Sequence, residues 1–417
     1  MSVIKELVAK LEKELGFIKG NVAILMLSSL VISFVKSMPE TYYSLYVLGL
    51  GATPLLLGLM DSLASLVYSP FQFLGGYIAD SYGRRKVIIY MTFTLSFIYL
   101  AYALAPDWRA ILIAVMASEI ASLHRPALEA IIADSIPPEK RGMGYSLIML
   151  IVNSIAVPSP IVAGLICSKL GLMKGMRLIY FSTALGFAVA ALIRCKLKET
   201  IIVKAKRTGK KGVRVREVIG DMLEAFKALR YTPRVAMYLI IASIIINFAY
   251  SPLYLYFVVY AKEVLGMGEL TWGMITCWNK LASIVSLIPL GKLTDMVKRK
   301  LVLSITGLLV PVCILLFIKG GNLGAAIGYS MLGVALAGVS VSYNSLRADL
   351  VPKEYRGKIM GLENLLTYIA MALGDVVGGY LYEKCSPTSP FLASTLAVTL
   401  GFLLIIVLVK EPVTRYK

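Results

Sequence analysis

Gly76-Tyr77-Ile78-Ala79-Asp80-Ser81-Tyr82-Gly83-Arg84-Arg85-Lys86 is a short, basic, glycine-bearing stretch between two long apolar runs. It returns as Gly291-Lys292-Leu293-Thr294-Asp295-Met296-Val297-Lys298-Arg299-Lys300. A second stretch, from Asp134 through Pro137 to Arg141-Gly142, returns as Asp349 through Pro352 to Arg356-Gly357. Gly76 and Gly291, Asp80 and Asp295, Arg84 and Arg299, Asp134 and Asp349 are all the same 215 positions apart. Two unrelated motifs at one offset mark an internal duplication.

Working outward, the runs around these loops are long, continuous and apolar, as in Val302–Ile318 and Phe391–Val409. The chain is 58% hydrophobic, with a mean hydropathy of +0.78, too apolar for a protein that must cover itself with polar groups. A bilayer core takes about 20 apolar residues per helix, and such runs recur here. Strands of a closed barrel alternate apolar and polar over about 10 residues, a pattern these runs lack. The reading is an all-α membrane protein with spans near 21–46, 54–78, 87–105, 109–132, 143–167, 176–194, 235–261, 270–291, 300–318, 323–346, 359–382 and 390–409. Each half then holds an even number of spans, so the two six-helix halves run in parallel.

The net charge of +19 could suggest a nucleic-acid binder, but most of the 43 Lys and Arg fall in the termini and the even-numbered connections. That placement is a topology signal, putting both termini and the central loop in the cytoplasm of a cell-membrane protein, with no nucleic acid as partner. The expected organisation is an N-terminal surface helix over 1–20, a first half over 21–194, a basic linker over 195–234, a second half over 235–410 and a tail over 411–417. Ile4, Leu7, Leu11 and Leu15 share one helical face, and Val215, Val218, Met222, Phe226 and Leu229 share another; both read as amphipathic helices on the inner membrane surface. Glu6, Glu12 and Glu14 ahead of the first span argue against a cleavable signal. The five scattered cysteines have no metal-ligand spacing, and no disulfide between Cys167 and Cys385 is expected.

Ionisable groups at mid-span cost at least about 2.5–3.5 kcal/mol each, so they face a cavity or a partner. Span 1 carries Ser33, Lys36, Ser37, Glu40 and Ser44 on one stripe. Span 2 carries Asp61, Ser65, Tyr68 and Gln72; span 4 carries Ser118, Ser122, Arg125 and Glu129, flanked by Glu119 and His124. In the second half the polar positions are Asn247, Tyr250, Ser251 and Tyr254 on span 7, Thr276, Asn279, Lys280 and Ser283 on span 8, and Asn364, Tyr368 and Asp375 on span 11. Lys36, Glu40, Arg125, Asn247, Tyr254, Asn279, Lys280 and Asp375 are the candidate substrate contacts between the halves. Glu40, Asp61, Glu119 and Asp375 are the candidate proton carriers, because a carboxylate in low dielectric takes up a proton readily. Lys280 is expected to pair with Asp375, a water-filled cavity or the substrate. Each group also has a plainer reading: Lys36 and Glu40 can neutralise one another at i, i+4, and His124 can be a packing residue. Asp375, among Gly374, Gly378 and Gly379, can serve helix packing, and Tyr42, Tyr43, Tyr46, Tyr256 and Tyr260 can form an interfacial aromatic belt. One His in the chain, no nucleophile elbow, no metal-binding cluster and no phosphate loop leave no enzyme, metal or cofactor expected.

The repeated loops resemble the signature of the major facilitator superfamily, Gly-x-x-x-Asp-(Arg)-x-Gly-Arg-(Arg/Lys), and its degenerate second copy, over nearly the whole chain. Ser81 and Lys298 depart from that pattern. The resemblance implies two halves rocking about a midplane site lined by spans 1, 4, 7 and 10, flanked by 2, 5, 8 and 11, with 3, 6, 9 and 12 towards lipid. It further implies a conformational role for Gly76, Asp80, Gly83 and Arg84, with Asp134 or Glu129 as span 4 partner, and for Arg141, Asp295, Arg299, Asp349 and Arg356. The expectation is a monomeric, proton-coupled secondary transporter of the drug and metabolite branches, leaning to efflux of small amphipathic compounds. Span 5, with Pro158-Ser159-Pro160 and Gly164, lacks the Gly-Pro signature of the family's antiporters. An uptake carrier or uniporter for a charged metabolite is the alternative; a lipid scramblase or a non-transporting sensor is the alternative from another class.

Overall fold

The computed structural model describes residues 18–201, 226–227 and 229–411, the side chains of residues 72 and 73 aside. The surface helices expected at 2–17 and across 215–225, and the last residues of the tail, lie outside the described residues. Among the described residues there is no strand, and twelve helical segments are long and apolar enough to cross a membrane. The protein is an all-α membrane protein of twelve spans.

Spans 1, 4 and 5 break beside prolines, while Pro70, Pro252, Pro289 and Pro311 lie inside helices that continue. Span 1 (Asn21–Glu40) carries Pro39 in its last turn, stops, and resumes as the short helix Tyr43–Gly49. Proline has no N–H to give the ladder and crowds the preceding turn. Span 4 passes from Trp108–Ala121 through the tight turn Ser122–His124 to Arg125–Ser135, with Pro126 opening the last segment. Span 5 is divided at Ala156–Pro158 into Arg141–Ile155 and Ser159–Leu170. The other spans are Pro54–Tyr82, Arg84–Leu104, Leu172–Arg194, Arg234–Glu263, Glu269–Met296, Arg299–Lys319, Gly321–Leu350, Arg356–Tyr380 and Ser389–Leu408. Gly83 lets span 2 turn into span 3 at once, because its φ of 97° is closed to most side chains.

The duplication is visible in side-chain chemistry. Arg84 donates to Asp134 (2.7 Å), and Arg299, its repeat mate, donates to Asp349, the mate of Asp134. Arg141 donates to the Ala133 carbonyl (3.1 Å), and Arg356 to the Ala348 carbonyl (2.6 Å). Arg84 and Arg299 tie the start of span 3 or 9 to the end of span 4 or 10, and Arg141 and Arg356 tie the start of span 5 or 11 to that same end, each within its own half. Spans 3, 6, 9 and 12 present large apolar side chains outward, among them Phe97, Leu192, Ile305 and Leu396. Lipid tails are as apolar as these side chains, so such a face belongs in a bilayer.

Candidate functional site

The two halves meet at the face opposite the basic loops, and they meet twice by the same device. Tyr42, at the break in span 1, donates its hydroxyl to the Glu269 carbonyl at the start of span 8 (2.5 Å). Tyr256 of span 7 donates to the Pro54 carbonyl at the start of span 2 (2.8 Å); Pro54 and Glu269 are repeat mates. Both rings are fully buried, so they are a clasp between halves and not the interfacial belt expected from their position. Glycine makes the approach close. A Cβ on Gly58 would overlap the Asp375 carbonyl, and one on Gly273 the Pro160 carbonyl. A Cβ added at Gly164 would stand 2.9 Å from the Glu269 carbonyl oxygen, and one added at Gly379 2.9 Å from that of Pro54. Spans 2 and 11 thus form one junction, spans 8 and 5 its repeat-related partner.

The junctions differ in one respect that matters chemically. In the first, Asp375 is wholly buried where span 11 lies against span 2, and Asp61 of span 2 is its ionisable neighbour. Ser251 and the Tyr256 ring are its other polar neighbours, and neither carboxyl has a basic partner among the described residues. No ordinary donor satisfies either Asp375 oxygen. Two neighbouring carboxylates away from water repel one another, and a shared proton removes that repulsion. The corresponding positions of the second junction are Thr276 and Pro160, which do not ionise.

Inward from this closure the polar side chains line separate cavities. Lys36, Glu119, Arg125, His124 and Arg194 line one of about 270 Å³ inside the first half. Glu40, Tyr254, Asn279 and Lys280 line one of about 100 Å³ between the halves, closed by Trp272 and Tyr329. Asn247 lines a third, of about 310 Å³, inside the second half with Arg347, Glu363 and Tyr343. Of the eight candidate substrate contacts, six line two adjacent cavities, Asn247 lines a third, and Asp375 lies in the closure. Lys36 bridges the first two, reaching Glu40 at 3.5 Å.

Two pairings with alternatives open in the sequence are decided by the structure. Lys280 does not meet Asp375; its ammonium donates to Ser37 Oγ of span 1, across the interface. Asp375 lies against Gly58, whose repeat mate Gly273 precedes Lys280 by about two turns of span 8, and sequence periodicity does not register height between helices. Of the two partners proposed for the span 2 loop, Asp134 is the one bonded to Arg84; Glu129 is engaged through its carbonyl, which accepts from Tyr145 (3.1 Å). Asp80 bonds Arg84 at 3.0 Å, while Asp295 is exposed. Arg125 donates to the Tyr68 hydroxyl (2.7 Å), and the Tyr68 ring meets Tyr368 of the other half edge-on at 5.1 Å. Arg194 was legible only as a span end. It lies on the buried side of its helix with Phe187 and Thr183, at i−7 and i−11, the spacing that could have revealed it.

Twelve spans in two repeat-related halves, joined at one face around buried charge, define a two-half membrane transporter. The profile of the Major Facilitator Superfamily matches residues 25–374 and, in a second match, 273–417. The chain belongs to that superfamily. Among curated proteins it is similar to the multi-drug resistance efflux pump PmrA of Streptococcus pneumoniae, 21% identical over 83% of this chain and 84% of that one. It is also similar to the multidrug resistance protein MdtG of Citrobacter koseri, 25% identical over 72% of each. Among solved structures it resembles the nucleoside transporter NupG, with a TM-score of 0.73 at 12% identity, covering 93% of this chain and 100% of that chain.

Proposed function

We propose that the chain is a proton-coupled exporter of small amphipathic organic compounds, working by alternating access as a monomer in the cell membrane with both termini cytoplasmic. The observation that carries this reading is the Asp61–Asp375 pair. With one proton between them, the two carboxyls hold spans 2 and 11 together; with none, two like charges in low dielectric push them apart. The basic loops mark the cytoplasmic face, so the closure is external and the arrangement is the inward-facing state. Protonation then favours the state that loads substrate from the cytoplasm, and loss of the proton favours the state that releases it outside, as an antiporter requires. The similarity to PmrA and MdtG supports the direction of transport. In this cycle Asp80, Arg84, Asp134, Arg299 and Asp349 govern the balance between states, and Glu40 and Glu119 pass charge between the cavity and the pair.

Inverted membrane vesicles with an acid interior test the proposal, using ethidium as a cationic dye and fluorescein as an anionic one. At least one dye should accumulate, and nigericin should release it. Asp375→Asn should remove accumulation while sparing downhill flux. Undiminished proton-driven accumulation in the Asp61→Asn/Asp375→Asn variant would overturn the assignment of coupling to this pair, and downhill flux without nigericin-sensitive accumulation in the parent protein would favour a uniporter.

A further inference from the structure

The cavity inside the first half has a counterpart inside the second. Ile32 and Asn247, Leu128 and Tyr343, Val152 and Thr367, and Phe187 and Phe402 are pairs 215 positions apart, and each pair lines the two cavities in turn. Their electrostatics are opposite in kind. In the second half Arg347 bonds Glu363 (3.0 Å), Asn344 (2.8 Å) and stacks on Tyr343, whose hydroxyl also bonds Glu363, so the cation is neutralised by its own half. In the first half Ile132 and Ile148 replace that ion pair, and the cation is supplied from another direction, by Arg194 of span 6.

Arg194 is 2% exposed, and no carboxylate stands against it among the described residues. Its Nε donates to Ser28 Oγ (3.1 Å) and its Nη1 to Thr92 Oγ1 (2.7 Å). Both hydroxyls already donate to carbonyls of their own helices, Ser28 to Leu25 and Thr92 to Ile88. They can only accept from the guanidinium, which fixes its orientation without neutralising it. Nη2 has no partner among the described residues. His124 holds the Ala121 carbonyl through Nδ1–H (2.8 Å), leaving Nε2 on the cavity wall. The cavity walls carry Lys36, Arg125 and Arg194 against the single carboxylate Glu119. Adding Glu40, which Lys36 reaches in the next cavity, still leaves one cation unmatched. A buried charge with neutral partners only is costly, and an anion entering the cavity removes that cost.

We propose that this cavity is a binding site for the anionic group of a small amphipathic carboxylate or sulfonate, with Arg194 as its principal charge partner. Leu95, Leu128, Val152 and Phe187 receive the apolar body. The volume, near the lower end of the roughly 300–1,000 Å³ usual for organic ligands, limits that body to one or two rings. The inference rests on the transporter reading for its role but not for its existence, because it concerns equilibrium binding. The test is calorimetric titration of the purified full chain with 2-naphthalenesulfonate, and with naphthylmethyl-trimethylammonium as the cation of like size. The sulfonate should bind saturably and the cation should not compete. Arg194→Gln should weaken sulfonate binding by about tenfold or more, the loss expected for a charge-assisted hydrogen bond, with Arg194→Lys recovering part of it. Glu119→Gln, which removes a like charge, should tighten sulfonate binding, an outcome that a merely structural Arg194 does not produce. Absence of sulfonate binding, or binding that Glu119→Gln weakens, would overturn the proposal even if dye export is intact. Sulfonate binding with these variant effects and no dye export would leave the site standing and remove the export reading.

Discussion

Tyr42 and Tyr256 each hold one hydroxyl–carbonyl bond between the halves, and in the proposed alternating-access cycle that bond is made only while the external face is closed. Loss of a buried hydrogen bond of this kind costs about 0.5–1.5 kcal/mol. Because the bond is absent from the open state, the cost falls on the balance between states rather than on folding alone. Tyr42→Phe and Tyr256→Phe should each shift that balance several-fold towards the externally open state, and the double variant further. Alkylation of a single cysteine placed at Ala52, in a background without the native cysteines, should speed up accordingly; unchanged rates would reduce the clasp to packing. Sequence reading gave both tyrosines to the lipid interface, and the structure buries them between the halves. For Tyr42, burial depends on the rotation of a broken helix about its axis, which Pro39 resets between Glu40 and Tyr43; Tyr256 lies on the unbroken span 7 and meets Pro54 only once the halves are side by side. For Lys36 and Glu40 a single unbroken helix joins the two, so their i, i+4 pairing was legible.

At the scale of elements, the repeat makes a prediction of equivalence. Gly58 and Gly273 occupy matching places in the two junctions, each under a carbonyl of the facing helix. Gly58→Leu and Gly273→Leu should hold the junctions apart to a similar degree and deplete the externally closed state. If cysteine labelling at Lys169 rises in one variant and not the other, the two junctions do not share the load. The basic loops lead to a second expectation. Arg84 and Asp134 form an ion pair whose carboxylate is 41% exposed, and solvent screens such a pair to a value of at most about 1 kcal/mol. Asp80→Asn or Asp134→Asn should therefore leave thermal unfolding nearly unchanged while lowering transport with little effect on substrate affinity. A large drop in melting temperature would assign these residues to folding instead. The loops, the span boundaries and the 215-residue repeat were open to sequence reading because hydropathy and loop charge act locally. The junctions were not, because Gly58, Gly164, Gly273 and Gly379 acquire meaning only once spans 2 and 11, and 5 and 8, are side by side.

Across the whole molecule, the fold is symmetric and the ionisable chemistry is not. One junction carries Asp61 and Asp375 where the other carries Thr276 and Pro160, and one internal cavity carries an unmatched cation where the other neutralises its own. A symmetric closure with a titrating group on one side is a two-state element that a proton can bias. In the proposed cycle the carboxyl pair also sets the sign: protonation closes the external face, and rising pH opens it. The measurement that tests this most directly is a spin-label distance between probes at Lys169 and Val264, on the external ends of the two halves, recorded in lipid nanodiscs as pH is raised. The distance should be short at acid pH and lengthen as the pair loses its proton, and in the Asp61→Asn/Asp375→Asn variant it should stay short at every pH. A distance that ignores pH in the parent protein, or that lengthens equally in the variant, would contradict the account.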